Sequence, residues 1–288
     1  MLLSSVPDQQ ILAGTAASLS WQPVDSDGEP ADPGVVTVGV SSSSGSTVVA
    51  AGTATLGTAS AERAVAVTVA QTAQVDLLTA TWKVGATTVA TTVHEIVGDY
   101  LLTRAEFVAR EPKMSTVAPA TFSRHRREVD ALFTRATKRG LTPRFAVERV
   151  TSRGSRNLIL RYPDLRVVRW ANHVADDGTV TAVTVGSIGP ASAGIASLPD
   201  GWPCGVIEIG YEHGMDRAPF DVVGAAARYT RYVIGGGTSS VPDRATSYAD
   251  GSGGVTQLAT PGLGPFTTGI PEVDEVLVAY EWKVPGLA

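Results

Sequence analysis

The sequence predicts two domains, an all-β sandwich followed by an α+β domain of helices and a small antiparallel sheet. Three observations carry this. Charge changes sharply near Gly98: residues 1–97 hold two basic side chains (Arg63, Lys83) against eight acidic ones, net −6, whereas 104–169 hold sixteen against six, net +10. The first segment is built from short Val/Thr/Ala runs separated by turn-formers. The second opens on a helix-start signature. At 288 residues the chain is long enough for about two ordinary domains, and 43% hydrophobic content supplies real cores.

In the first segment, residues 35–40, 64–69, 77–84 and 87–96 are β-prone. Asp25-Ser26-Asp27-Gly28, Asp32-Pro33-Gly34 and 41–45 punctuate them as turns. Trp21 and Trp82 are the large apolar anchors. Six or seven short strands in about 95 residues fit an immunoglobulin-like sandwich. Cys204 is the only cysteine of the chain, so this sandwich holds by burial without a disulfide. The expected domain is 1–97, an added module that assembly can dispense with.

The 98–234 segment reads as the α+β domain. Thr103-Arg104-Ala105-Glu106 is a capping box, and Leu102 and Phe107 stand where a hydrophobic staple needs them. Pro112 ends this helix. A longer helix is expected from Pro119 to Arg139, closed by Gly140. At ~100° per residue Phe122, His125, Val129, Leu132, Phe133 and Ala136 share one face, with Arg124, Arg127, Arg135 and Lys138 on the other. Strands are expected at 145–150, 157–162, 166–170, 179–185 and 205–211, with Asp176-Asp177-Gly178 a hairpin turn. Pro219 opens a helix to Ile234 that is apolar on most sides, hence central. Residues 235–269 read as a Gly/Ser-rich loop or linker, and 270–288 as a closing helix and tail. In that helix Val273, Val276, Leu277 and Tyr280 form one stripe, while Val278 and Trp282 project elsewhere.

Enzyme signatures are absent: no Gly-x-Ser-x-Gly, no Walker loop, no His-Glu-x-x-His. The expectation is a non-enzyme without cofactor or metal. His94, His125, His173 and His213 share no metal-ligand spacing. His125 reads as packing and His213 as part of a turn after a strand. Cys204 beside Pro203 reads as an inert thiol. Asp25-x-Asp27-Gly28 begins like a calcium loop, but Val36 stands where the twelfth-position acid belongs. The basic stripe admits three readings: a solvated face, an intersubunit contact with acidic surfaces of this chain, or phosphate-backbone binding. No membrane span is expected, and Met1 to Ser5 lack the basic, apolar-core pattern of a classical export signal.

From Asp99 onward the order of elements resembles the head-to-tail adaptor (head completion, or connector) proteins of long-tailed bacteriophages. The residues carrying this are Tyr100 to Phe107, the long basic helix, Arg161-Tyr162-Pro163, and Leu198-Pro199-Asp200-Gly201-Trp202-Pro203 leading into Val206 to Ile209. The Pro219 helix and Ile270-Pro271-Glu272-Val273-Asp274 to Pro285-Gly286 complete it. The resemblance covers about two-thirds of the chain and rests on diffuse similarity; the N-terminal β-module departs from the minimal adaptor.

It implies a virion structural protein of the neck, between capsid and tail, folded in the host cytoplasm. It implies a homo-oligomer, a dodecameric ring contacting the portal protein and a tail-side stopper or tail protein and extending the DNA channel, with non-specific DNA passage and no membrane partner. In that setting Val273, Val276, Leu277, Tyr280 and Trp282 are the expected portal or subunit docking residues. Arg124, Arg127, Arg135 and Lys138 are the expected intersubunit stripe. The alternatives are a tail-side stopper or tail-end ring, and, in another class, a carbohydrate- or surface-binding module using exposed Trp21 and Trp82. An enzyme would need His213, Cys204 and an acid to converge.

Overall fold

The computed structural model describes residues 7–57, 61–186, 188, 193–235, 247–249, 255–257 and 268–283. The chain forms two compact units, Met1–Tyr100 with Thr142–Arg217, and Leu101–Leu141 with Ala218–Ala288. The segment 98–234 therefore contributes to both.

The first unit begins with β1 (Gln9–Leu12), β2 (Ala17–Trp21), β3 (Val36–Ser41), β4 (Thr47–Thr53), β5 (Thr55–Leu56), β6 (Arg63–Val67), β7 (Asp76–Val84) and β8 (Thr87–Val97). Among the described residues these form two sheets, β1-β8-β7-β3-β4 and β2-β6-β5. Only the β1–β8 pair is parallel. Side chains alternate across a strand, so Val36, Val38 and Val40 of β3 and Leu78, Ala80 and Trp82 of β7 turn to one face. Leu19 of β2 and Val67 of β6 meet them from the other sheet, and these residues share one core. The four β-prone runs of the sequence are β3, β6, β7 and β8. The carboxylate of Asp25 accepts from the backbone N–H groups of Asp27 (2.9 Å) and Glu29 (3.0 Å), which makes its loop an Asx-type turn.

The same unit continues with β9 (Arg144–Arg153), β10 (Asn157–Ile159), β11 (Leu165–Val174), β12 (Val180–Ala182), β13 (Ile195–Ser197) and β14 (Cys204–His213). Four of these make an antiparallel sheet, β12-β11-β14-β9, and β10 pairs with β13. Leu165, Val168, Trp202, Ile207, Ile209 and Tyr211 lie in their core. The Trp202 indole N–H donates to the Ala196 carbonyl (3.0 Å). The expected hairpin at 176–178 forms, with Gly178 at φ +83°.

The second unit is helical: α1 (Arg104–Arg110), a 3-10 turn (Pro112–Met114), α2 (Pro119–Thr137), α3 (Phe220–Gly235) and α4 (Pro271–Ala279). The capping box is present in both directions between Thr103 and Glu106. Two ends differ from expectation. Helix α2 stops at Thr137, because Lys138 itself takes the left-handed conformation (φ +56°) that a following glycine was expected to supply. Helix α4 stops at Ala279, so Tyr280 and Trp282, expected on the closing helix, lie beyond its end. Phe107, Phe122, Val129, Phe133, Val222, Ala226, Val273 and Leu277 share one core. Helix α3 is not enclosed all round: Phe220, Arg228, Arg231 and Tyr232 are exposed. In the 235–269 stretch, β15 (Ser247–Ala249) pairs antiparallel with β16 (Val255–Gln257); the rest of that expectation lies largely outside the described residues.

Leu277 is 1% exposed in this helical core. Leu277→Ala is expected to destabilise the helical unit by about 2–5 kcal/mol, the usual range for emptying a buried leucine site. Chemical denaturation followed by helical circular dichroism checks this, and Val278→Ala, at a largely exposed position, should change little.

Candidate functional surfaces

The basic residues of α2 come to lie as the helical period demands, but their surroundings differ. Arg124 and Arg135 are exposed and Arg127 is half-buried. Arg124 lies 3.2 Å from His125 Nε2, and His125 Nδ1 is 2.9 Å from Glu128. Lys138 is ion-paired to Glu281 at 2.7 Å, so its charge is partly met within the chain. The positive face therefore centres on Arg124 and Arg135.

The closing segment is held to its own unit at several points. Val273 and Leu277 are core residues, with Val276 and Tyr280 packed against that core. Tyr280 donates from its hydroxyl to Asp221 (3.1 Å). The Trp282 backbone N–H donates to the Thr137 carbonyl (2.7 Å), satisfying one of the carbonyls left open at the end of α2. Of the five expected docking residues, Val276, Tyr280 and Trp282 remain partly accessible.

Trp82 is fully buried, and its indole N–H donates to Thr92 Oγ1 (2.9 Å), which lies 2.8 Å from His94 Nε2. Trp21 packs on Trp82 with ring centroids 5.8 Å apart. Trp82 is closed off while Trp21 is half-buried against it, so of the pair expected to be exposed for surface binding only Trp21 is partly accessible. Cys204 and His213 stand at opposite ends of β14, about 30 Å apart at ~3.3 Å per residue, and do not converge. Among the described residues, no three His, Cys, Asp or Glu side chains group as metal ligands, and no helix is long and apolar enough to cross a membrane.

Two clusters of buried titratable side chains in the first unit were not legible as such. Glu95 of β8, almost fully buried, receives both ends of the Arg144 guanidinium (2.7 and 2.5 Å) and the Gln10 amide (3.3 Å). A signal existed: Glu95 interrupts an otherwise β-prone apolar stretch. His213 is the second. It is the last residue of β14 rather than part of a turn, and is 2% exposed. It stacks flat on Tyr162 at 4.2 Å and lies beside Tyr211. Burial, with the nearby Arg144 charge, pushes its pKa down to about 3. Glu148 stands close by, hydrogen-bonded to Tyr211; burial raises its pKa against the hydrogen bond from Arg161 N (3.0 Å).

No protein-family model matches the chain, and no curated protein matches it. A solved structure is similar over part of it: a chain in the neck of an empty gene transfer agent (GTA) particle, computed with C6 symmetry. That likeness has 16% identity and a TM-score of 0.41, covering 62% of this chain and 91% of that one.

Three outcomes are expected. His213 is neutral in the fold but takes up a proton when unfolded, so its contribution is complete above about pH 6.5 and is lost as pH falls toward 3. Wild-type stability should drop by about 2 kcal/mol from pH 7 to pH 5 on this account, and His213→Phe should remove that part of the slope in denaturant titrations. The raised Glu148 works in the opposite sense, over a window that begins near its ordinary value of 4.5 and extends upward, so the quantity to read is the difference between wild type and His213→Phe, in which Glu148 is common to both. Glu95→Ala should cost about 3–5 kcal/mol, because it strands the buried Arg144. Deleting 1–97 removes the same partner and should destabilise the 142–217 sheet, measurable by proteolysis of the truncated chain.

Proposed function

We propose that the protein is a structural component of the neck of a tailed, phage-like particle. Its subunits assemble into a ring that joins the capsid portal to the tail and extends the DNA channel. It performs no chemistry and uses no cofactor. The observation that carries this reading is the adaptor resemblance from Asp99 to Ala288. The elements named by it include α1, α2, α3 and α4, which share one helical core with an exposed basic face.

In this reading the ring has twelve subunits, as the resemblance implies. Arg124 and Arg135 contribute most of the intersubunit stripe, with Arg127 and Lys138 at its margin. Docking to the portal falls on the accessible side of the closing segment, Val276, Tyr280 and Trp282, while Val273 and Leu277 keep the segment in place. Residues 1–97 form an immunoglobulin-like module; its two sheets closing on Trp82 support that.

The test is native mass spectrometry and negative-stain imaging of the purified chain, alone and mixed with the portal of the same particle. Twelve-fold rings are expected, and six-fold rings would move the protein to the tail side. Arg124→Glu with Arg135→Glu should lower ring formation at least tenfold without changing the melting temperature. A chain that stays monomeric with and without the portal would overturn the proposal.

A further inference from the structure

A separate observation lies in the first unit and does not depend on the neck reading. A cleft of about 580 Å³ opens between the β3–β4 turn, the 70–78 segment and strand β11. That is within the ~300–1,000 Å³ usual for small-ligand sites. Its lining includes Ser43, Gln74, Asp76, Phe145, Arg169 and Trp170.

Two backbone features bring Arg169 and Trp170 to it. Consecutive side chains of a regular strand point to opposite faces. In the β11–β14 ladder, however, Val168 faces Tyr211 and Trp170 faces Gly210, so Arg169 is an extra residue. Such a bulge re-aims side chains, and here both line the same cleft. Opposite, a Cβ at position 210 would lie 2.4 Å from Trp170 Cε2 and Nε1. Glycine at 210 lets the indole lie down on β14. The indole N–H then donates to Ser43 Oγ (3.3 Å), and Arg169 is ion-paired with Glu212. The ring is thus held in place rather than left to turn.

We propose that this cleft is a saccharide-binding site with the Trp170 ring as its platform. A pyranose offers an apolar C–H face to an aromatic ring and vicinal hydroxyls to planar polar groups. The cleft supplies an indole, with the Gln74 amide, the Asp76 carboxylate and the Arg169 guanidinium around it. Asp76 spends one oxygen on the Leu77 N–H (2.7 Å), which fixes its carboxylate, and Gln74 is exposed.

The full-length chain should be applied to a printed array of mono- to tetrasaccharides, and any retained glycan titrated by calorimetry. The wild type is expected to retain at least one glycan. Trp170→Ala should weaken that binding at least tenfold and Gln74→Ala, on an exposed residue, at least threefold, with Phe220→Ala in the other unit unchanged. Should Trp170→Ala not fold, Gln74→Ala decides alone. No retained glycan, undiminished binding by Gln74→Ala or by a folded Trp170→Ala, or retention of peptides in place of glycans would each overturn the proposal.

Discussion

The chain leaves its first unit at Tyr100 and re-enters it at Thr142, and the Glu95–Arg144 pair pins both crossings. Glu95 stands near the end of β8 and Arg144 at the start of β9, and the two-pronged guanidinium contact is buried with them. Just outside it, the Gly98 N–H donates to the Pro143 carbonyl (2.9 Å). Burying an ion pair carries a large desolvation cost, offset only when geometry and further hydrogen bonds are good; Gln10 supplies one such bond. The pair is better understood as fixing position than as adding net stability. It holds the sandwich and the second sheet of one unit in a fixed relation while the intervening 41 residues, 101–141, build helices.

That arrangement changes the meaning of the charge break at Gly98. The composition shifts there because an acidic sandwich ends and a basic stretch begins, and the shift marks a real boundary between kinds of secondary structure. It does not mark a boundary between folding units, since residues on both sides belong to one compact body. Composition is a local property of the chain, whereas the Glu95–Arg144 contact spans 49 positions.

Much of the local structure was legible for physical reasons. The capping box at Thr103 and Glu106 is a self-contained hydrogen-bond exchange within four residues, so four residues of sequence carry its signature. The hairpin at Gly178 and the alternating runs of β3 and β7 are local in the same way. What stayed hidden depends on long-range pairing. The left-handed Lys138 is one case: its side chain is held by Glu281, 143 positions away, and no local glycine rule anticipates it. The bulge at Arg169 appears only once β11 is registered against β14. Of the candidate surfaces, the α2 stripe followed from the helical period. The commitment of Val273 and Leu277 to the core did not, because an apolar stripe looks the same whether its partner is the same chain or another.

In the helical unit α4 closes a core that carries a basic outer face, which suits the proposed role of a subunit that folds before it joins a ring. The most direct measurement of that role is a reconstruction of a particle carrying this chain, solved without imposed symmetry on the neck. If the proposed role holds, density for this chain's helical unit lies in a ring between portal and tail, with the α2 face of one copy against the next. Density elsewhere on the particle, or none in the neck, would contradict it.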